Sequence, residues 1–137
     1  MTKFLVTGSA GLVGSQVVKD LVEKNFEVYS CYNVEKPEFG IPTRLDILKK
    51  DKIEKILQSI KPDVVIHLAA ITDVDLCERQ KELAILVNAK STEILAQESS
   101  KQHAYFVYMS TDYVFDGKQG MKNENDVPNP LNFYGKS

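Results

Sequence analysis

Lys3-Phe4-Leu5-Val6-Thr7 runs straight into Gly8-Ser9-Ala10-Gly11-Leu12-Val13-Gly14, where the glycines stand three apart. The first five residues read as a buried strand. From Ser15 to Glu23, Val17, Val18, Leu21 and Val22 recur at helical spacing. Strand, tight glycine turn and helix, in that order, make the phosphate-binding corner of a dinucleotide fold. One glycine permits the sharp turn, one lets backbone approach a pyrophosphate, and one lets helix pack on strand. The anion then faces a helix N-terminus, whose unpaired N–H groups and positive dipole end favour it. A plain glycine-rich turn is the blander alternative, and the strand and helix on either side weigh against it.

Strand and helix patterns alternate along the rest of the chain. Glu27–Tyr32 reads as strand two, and Thr43–Ile47 as a short strand three after a loop holding Pro37, Gly40 and Pro42. Ile53, Ile56, Leu57 and Ile60 mark one helix face. Val64–Leu68 is continuously apolar except for His67, as buried parallel strands are. A long helix is expected over Glu78–Ser100, strand five over Tyr105–Met109, and a polar loop over Asp116–Pro130. Five strands with crossovers predict an α/β, doubly wound parallel sheet in the order 3-2-1-4-5 within one domain. Ligands bind such sheets beyond the carboxyl ends of the strands, at the switch between strands one and four. That places Gly8–Gly14, Leu68–Thr72 and Ser110–Tyr113 around one crevice.

The 137 residues are 43% hydrophobic with a net charge of −2, enough for one domain with a core. No basic cluster points to nucleic acid, and no apolar run is long enough to span a membrane. Met1-Thr2-Lys3 leads into the first strand without a signal peptide. Cys31 and Cys77 lack metal-ligand spacing, and free thiols in a reducing cytoplasm are the economical reading.

The turn is Thr-Gly-x-x-Gly-x-x-Gly, a spacing that resembles the short-chain dehydrogenase/reductase superfamily. His67-Leu68-Ala69-Ala70, Asn88 and Ser110-Thr111-Asp112 sharpen the resemblance to its extended, nucleotide-sugar branch. Tyr134-Gly135-Lys136-Ser137 resembles the opening of the Tyr-x-x-x-Lys signature of that superfamily. Two stretches, Ala69–Glu78 and Ser110–Gly117, look most like the dTDP-4-dehydrorhamnose reductase family. Pro130–Lys136 is also similar to the regulatory beta subunits of methionine adenosyltransferase, known for binding the nucleotide within a complex.

The reductase resemblance implies NAD(P)H-dependent reduction of the C4 ketone of dTDP-4-dehydrorhamnose to dTDP-rhamnose. Tyr134 would protonate the developing alkoxide, and Thr111 would hydrogen-bond the same oxygen. It assigns cofactor contacts to Gly8, Gly11, Leu12, Val13, Gly14, Asn33, Asp46, Ile47, Leu68, Ala69, Ala70 and Tyr134. Substrate contacts fall to Thr72, Val74, Asp112 and Tyr113. A free tyrosine has a pKa of about 10, so the superfamily places a lysine one helical turn on. Position 138 lies past Ser137, and Lys136, two residues from Tyr134, is expected on another helix face. The expectation is an N-terminal half of a larger reductase, with little turnover alone and an exposed fifth strand that invites association, homo-oligomers included.

Asn33 closes strand two where an acidic residue would select NAD, with Lys36 beyond it; this favours NADP and leaves NAD possible. Asp46 reads equally as an adenine neighbour or a turn cap. His67 is expected to be a satisfied core histidine, His103 to face solvent, and Asp73, Asp75 and Glu78 to form a solvated helix start rather than a metal site. Asn88 reads as a brace of the active-site backbone or as a surface residue. Two rival functions remain: another nucleotide-sugar epimerase or dehydratase, and a non-catalytic NADP-binding subunit. Elimination is disfavoured because Asp112 is followed by Tyr113 rather than a second acid.

Overall fold

A computed structural model describes residues 1–137. Five strands, β1 (Lys3–Thr7), β2 (Glu27–Tyr32), β3 (Ile41–Arg44), β4 (Val64–His67) and β5 (Tyr105–Tyr108), pair in parallel in the order β3-β2-β1-β4-β5. This is the doubly wound order that the sequence predicts. Alternation along β1 feeds two cores. Leu5 joins Cys31, Leu45, Ile53, Leu57, Val65 and Leu95 on one face, while Val6 meets Val18 and Val28 on the other. Helix α1 (Leu12–Glu23) covers the Val6 face, and α2 (Lys50–Ile60) supplies Ile53, Leu57 and Ile60 to the Leu5 face.

Several element boundaries differ from the sequence expectation. Helix α1 begins at Leu12, not Ser15, because Gly11 is extended (φ −75°, ψ 171°) and its carbonyl already accepts from Ser15 N–H at 2.9 Å. Leu12 and Val13 face solvent, so apolar periodicity misses the first turn. Strand β3 ends at Arg44 because Leu45 turns into the core and the Asp46 carboxylate takes Leu48 N–H at 3.0 Å, closing a turn. Strands β4 and β5 each stop one residue early, within ordinary boundary scatter.

The long helix expected over 78–100 is divided. Helix α3 (Val74–Arg79) ends at Gln80 (φ −126°, ψ 63°), then α4 (Lys81–Ala84) passes through a π-helical stretch, Ile85–Lys90, into α5 (Ser91–Lys101). Asp73 caps α3 by accepting from Leu76 N–H at 2.8 Å, so the acidic run is a helix start. Past the π-helical stretch, Ser91 and Thr92 hydroxyls donate to the Val87 and Asn88 carbonyls at 2.5 and 2.6 Å. A 3-10 turn (Asp112–Val114), an irregular loop and the single-turn helix α6 (Phe133–Lys136) follow β5. Strand β5 is one edge of the sheet, with Tyr105, Val107 and Tyr108 exposed, as is Met109 just beyond it. No helix is long and apolar enough to cross a membrane.

Candidate active site

Beyond the carboxyl end of β1, the chain turns at Gly8 with φ +67°, a conformation that side chains rarely adopt. A Cβ there would sit 2.8 Å from both Ala69 N and Leu68 C, so β4 comes too close for any side chain. A Cβ on Gly14 would run into the Gly8 carbonyl oxygen, which is how the first turn of α1 folds back onto the strand exit. Ser15 is the first residue of α1 whose N–H finds a carbonyl, leaving the Leu12, Val13 and Gly14 amides as helix-terminal donors. Leu12 is 93% exposed, so its contribution to an anion site is its amide, not its side chain.

A cavity of about 380 Å³ opens over this turn. Gly8 and Gly11 form its floor. Tyr32, Asn33 and Glu35 at the end of β2, Asp46 and Ile47 after β3, and Leu68, Ala69 and Ala70 after β4 form its walls. The Asp46 carboxylate caps the turn at Leu48, and the residue also borders the cavity. The sequence reading looked to Lys36 beyond Asn33. The structure instead brings Glu35 to the rim. Ser9, whose hydroxyl ties the turn to Cys31 O at 2.8 Å, and Cys31 itself also border the cavity and were not foreseen. An irregular exit from β2 carries no periodicity from which Glu35 could be read.

A second hollow, of about 240 Å³, adjoins the first through Ala70, which borders both. Thr111, Tyr134, Tyr108, Asn88 and Lys136 lie around it. Thr111 Oγ1 accepts from Tyr113 N–H at 3.3 Å and donates to the Asp112 carboxylate at 3.4 Å, so this residue caps the 3-10 turn as well as facing the hollow. Burial, with the nearby Tyr134 phenol, raises the Tyr108 phenol above its ordinary range. Lys136 borders this hollow too, and no hydrogen bond joins it to Tyr134.

Asn88 is a brace rather than a surface residue, 5% exposed. Its Oδ1 accepts from Ile71 N–H at 2.8 Å, and its Nδ2 donates to Ile71 O and Ser137 Oγ, both at 3.0 Å. The site helix is thereby tied to the strap after β4. His67 is a satisfied core histidine, held by Thr7 Oγ1 at Nδ1 (2.6 Å) and Thr92 Oγ1 at Nε2 (2.9 Å). Burial lowers its pKa to about 4. Its ring stacks on Tyr108 with centroids 5.8 Å apart. His103 is exposed, as expected.

The single crevice expected from the sequence is thus two neighbouring hollows with Ala70 on the lining of each; Leu12, Val13 and Gly14 line neither, and the predicted substrate residues also lie outside both. Thr72 is exposed and Val74 half-buried on α3, and neither borders either hollow. Asp112 and Tyr113 open instead onto a loop hollow of about 650 Å³ shared with Phe115, Asp116 and Lys122. Tyr113 remains linked to the Thr111–Tyr134 hollow, its ring meeting Tyr134 edge-on with centroids 5.5 Å apart.

A family model described as the RmlD substrate binding domain matches residues 2–137. The chain is 40% identical over 134 residues to methionine adenosyltransferase 2 subunit beta of Xenopus tropicalis, covering 97% of this chain and 39% of that protein. Among solved structures, it resembles a hypothetical dTDP-4-dehydrorhamnose reductase from Sulfolobus tokodaii (TM-score 0.91, 37% identity, 98% of this chain and 48% of that one). It also resembles the dTDP-4-dehydrorhamnose reductase of Bacillus anthracis in complex with NADP (TM-score 0.87, 32% identity, 99% and 46%). The chain therefore spans less than half the length of the relatives it matches.

Proposed function

The chain belongs to the RmlD substrate binding domain family, and from that premise we propose that it forms the dinucleotide-binding and catalytic part of a reductase acting on dTDP-linked 4-keto sugars. The observation that carries this reading is Ala70, which borders both the glycine-floored cavity and the hollow bordered by Thr111 and Tyr134. The first cavity fits a dinucleotide. Gly8 leaves no room for a side chain, and the Leu12, Val13 and Gly14 amides are free to meet a diphosphate. Asn33, Asp46, Ile47, Leu68, Ala69 and Ala70 would flank the rest.

NADP is the cofactor favoured by the B. anthracis relative and by the absence of a carboxylate at Asn33, while Glu35 at the rim keeps NAD open. The reduced nicotinamide supplies the hydride when bound. The chain's own residues then handle the oxygen. Tyr134 donates its phenolic proton to the alkoxide forming at C4, and the Thr111 hydroxyl bonds the same oxygen and holds it in line. Asn88 fixes the Ile71 strap and Ser137, so the Tyr134 turn cannot drift from Ala70. Asp112 and Tyr113 would meet the substrate from the loop side, and Thr72 and Val74 would do so only where bound substrate reaches across α3.

A second reading is favoured by the similarity to methionine adenosyltransferase 2 subunit beta: a dinucleotide-binding regulatory subunit without turnover. One experiment separates the two. NADPH consumption is followed for the full-length protein with dTDP-4-dehydrorhamnose, and its capture by a catalytic methionine adenosyltransferase subunit is measured in parallel. The reductase reading expects sugar-dependent NADPH loss. NADPH binding without turnover, accompanied by stable capture, would replace it with the regulatory reading.

A further inference from the structure

Register sets Thr7 of β1 opposite His67 of β4, and the contacts there fix every proton. Three groups converge on Thr7 Oγ1: the amides of Leu68 and Ala69, each at 3.2 Å, and His67 Nδ1 at 2.6 Å. An amide N–H only donates, so both lone pairs of the hydroxyl are taken and its single proton goes to His67. Nδ1 is therefore an acceptor, and the ring carries its proton on Nε2. That N–H donates to Thr92 Oγ1 at 2.9 Å, and the Thr92 hydroxyl donates onward to the Asn88 carbonyl at 2.6 Å. The Nδ1–H tautomer would place two donors face to face at Thr7 and leave Thr92 without its donor.

We propose that His67, as the neutral Nε2–H tautomer, is a positioning residue that locks the Leu68–Ala69 backbone to the π-helical stretch carrying Asn88. Leu68 and Ala69 wall the first cavity, and Asn88 borders the second. One ring, with acceptor and donor on opposite edges, sets the spacing between the two hollows. A leucine of similar volume would fill the site but take away the acceptor of the Thr7 hydroxyl proton and the donor to Thr92 Oγ1. Burial, which holds the ring neutral near physiological pH, agrees with this assignment. The lock itself does not depend on the cavity's occupant; its effect on cofactor affinity rests on the dinucleotide reading above.

Nitrogen NMR of the histidine rings in the full-length protein reads the tautomer directly, with Nε2 protonated and Nδ1 bare expected. Thr92 borders neither cavity; its hydroxyl reaches His67 Nε2 and the Asn88 carbonyl, and exchange at Leu68 and Ala69, which hang on Thr7 and His67, reads the first of these two routes. In Thr92→Val, amide exchange at Leu68 and Ala69 should quicken by about three- to tenfold relative to Val65, and the dissociation constant for NADPH should rise by a similar factor. Thr92→Ser, which keeps the hydroxyl, should restore both. An Nδ1–H ring overturns the proposal, as does equal quickening at Val65 and Leu68 in Thr92→Val, which would mark a general loss of stability. If the wild-type protein binds no NADPH, the dinucleotide reading fails, while the tautomer and the exchange pattern still decide the lock.

Discussion

Replacing Tyr134 by phenylalanine should lower kcat for 4-keto sugar reduction by about 10²- to 10⁴-fold, the usual contribution of a positioned general acid. The substitution removes one hydroxyl and keeps the ring. The edge-on contact with Tyr113 and the turn of α6 capped by Asn132, whose carboxamide oxygen accepts from Gly135 N–H at 2.8 Å, are both retained. Folding and NADPH affinity should therefore stay close to wild type, and the loss should fall on kcat. Tyr108 does not take over. Its phenol borders the hollow, but burial raises its pKa and makes it the weaker acid. Thr111 alone would leave a residual rate, because a hydroxyl can bond the developing oxygen without delivering a strong acid's proton. Stopped-flow measurement of NADPH oxidation, with a separate NADPH titration, makes the check; a variant with wild-type kcat removes Tyr134 from the chemistry.

Acid should unfold the protein partly through one ring. His67 is 1% exposed, and burial lowers its pKa from 6.5 to about 4. The unfolded chain takes up a proton at about pH 6.5 that the folded chain refuses until about pH 4. The stability associated with neutral His67 is therefore complete above pH 6.5 and is lost as pH falls from 6.5 to about 4. At 1.36 kcal/mol per pKa unit, that loss is about 3 kcal/mol, a large share of a small domain's stability. His67→Gln keeps a donor amide but no titrating proton. Urea unfolding at pH 7, 5.5 and 4 should show the gap between wild type and this variant closing by about that amount. Parallel losses in the two proteins would mean that the buried ring does not carry the acid response. Carboxylate titration affects both proteins and cancels in the comparison.

The order of the sheet was legible because β1, β4 and β5 are short apolar-rich runs flanked by turn residues, and right-handed crossovers leave few alternatives, although β3, Ile41–Arg44, is not apolar and begins before the expected Thr43. The glycine turn was legible for the same local reason, since the +67° φ of Gly8 and the close approach at Gly14 are conditions only glycine meets. Asn88 was readable as a brace from the resemblance, but its grip on both polar groups of Ile71 depends on where the π-helical stretch sets it. That stretch was not legible. Val87 through Ile94 carries no glycine or proline to break a helix, and nothing in the sequence distinguishes an α turn from a π turn. Thr7 was read only as the last strand residue, because its role arises from the cross-strand register with His67 rather than from its neighbours in sequence. The placements of Thr72 and Val74 away from both hollows likewise follow from the start of α3 at Val74, a tertiary outcome of the Asp73 cap.

Both proposed readings place a dinucleotide diphosphate against the amides that open α1. Backbone amide NMR of the protein during an NADPH titration tests that placement residue by residue. Saturable shifts concentrated at Gly11, Leu12, Val13 and Gly14, extending to Leu68–Ala70, are the expected result. Saturation that leaves those amides unmoved while other residues respond would contradict the account, because the nucleotide would then lie elsewhere on the fold.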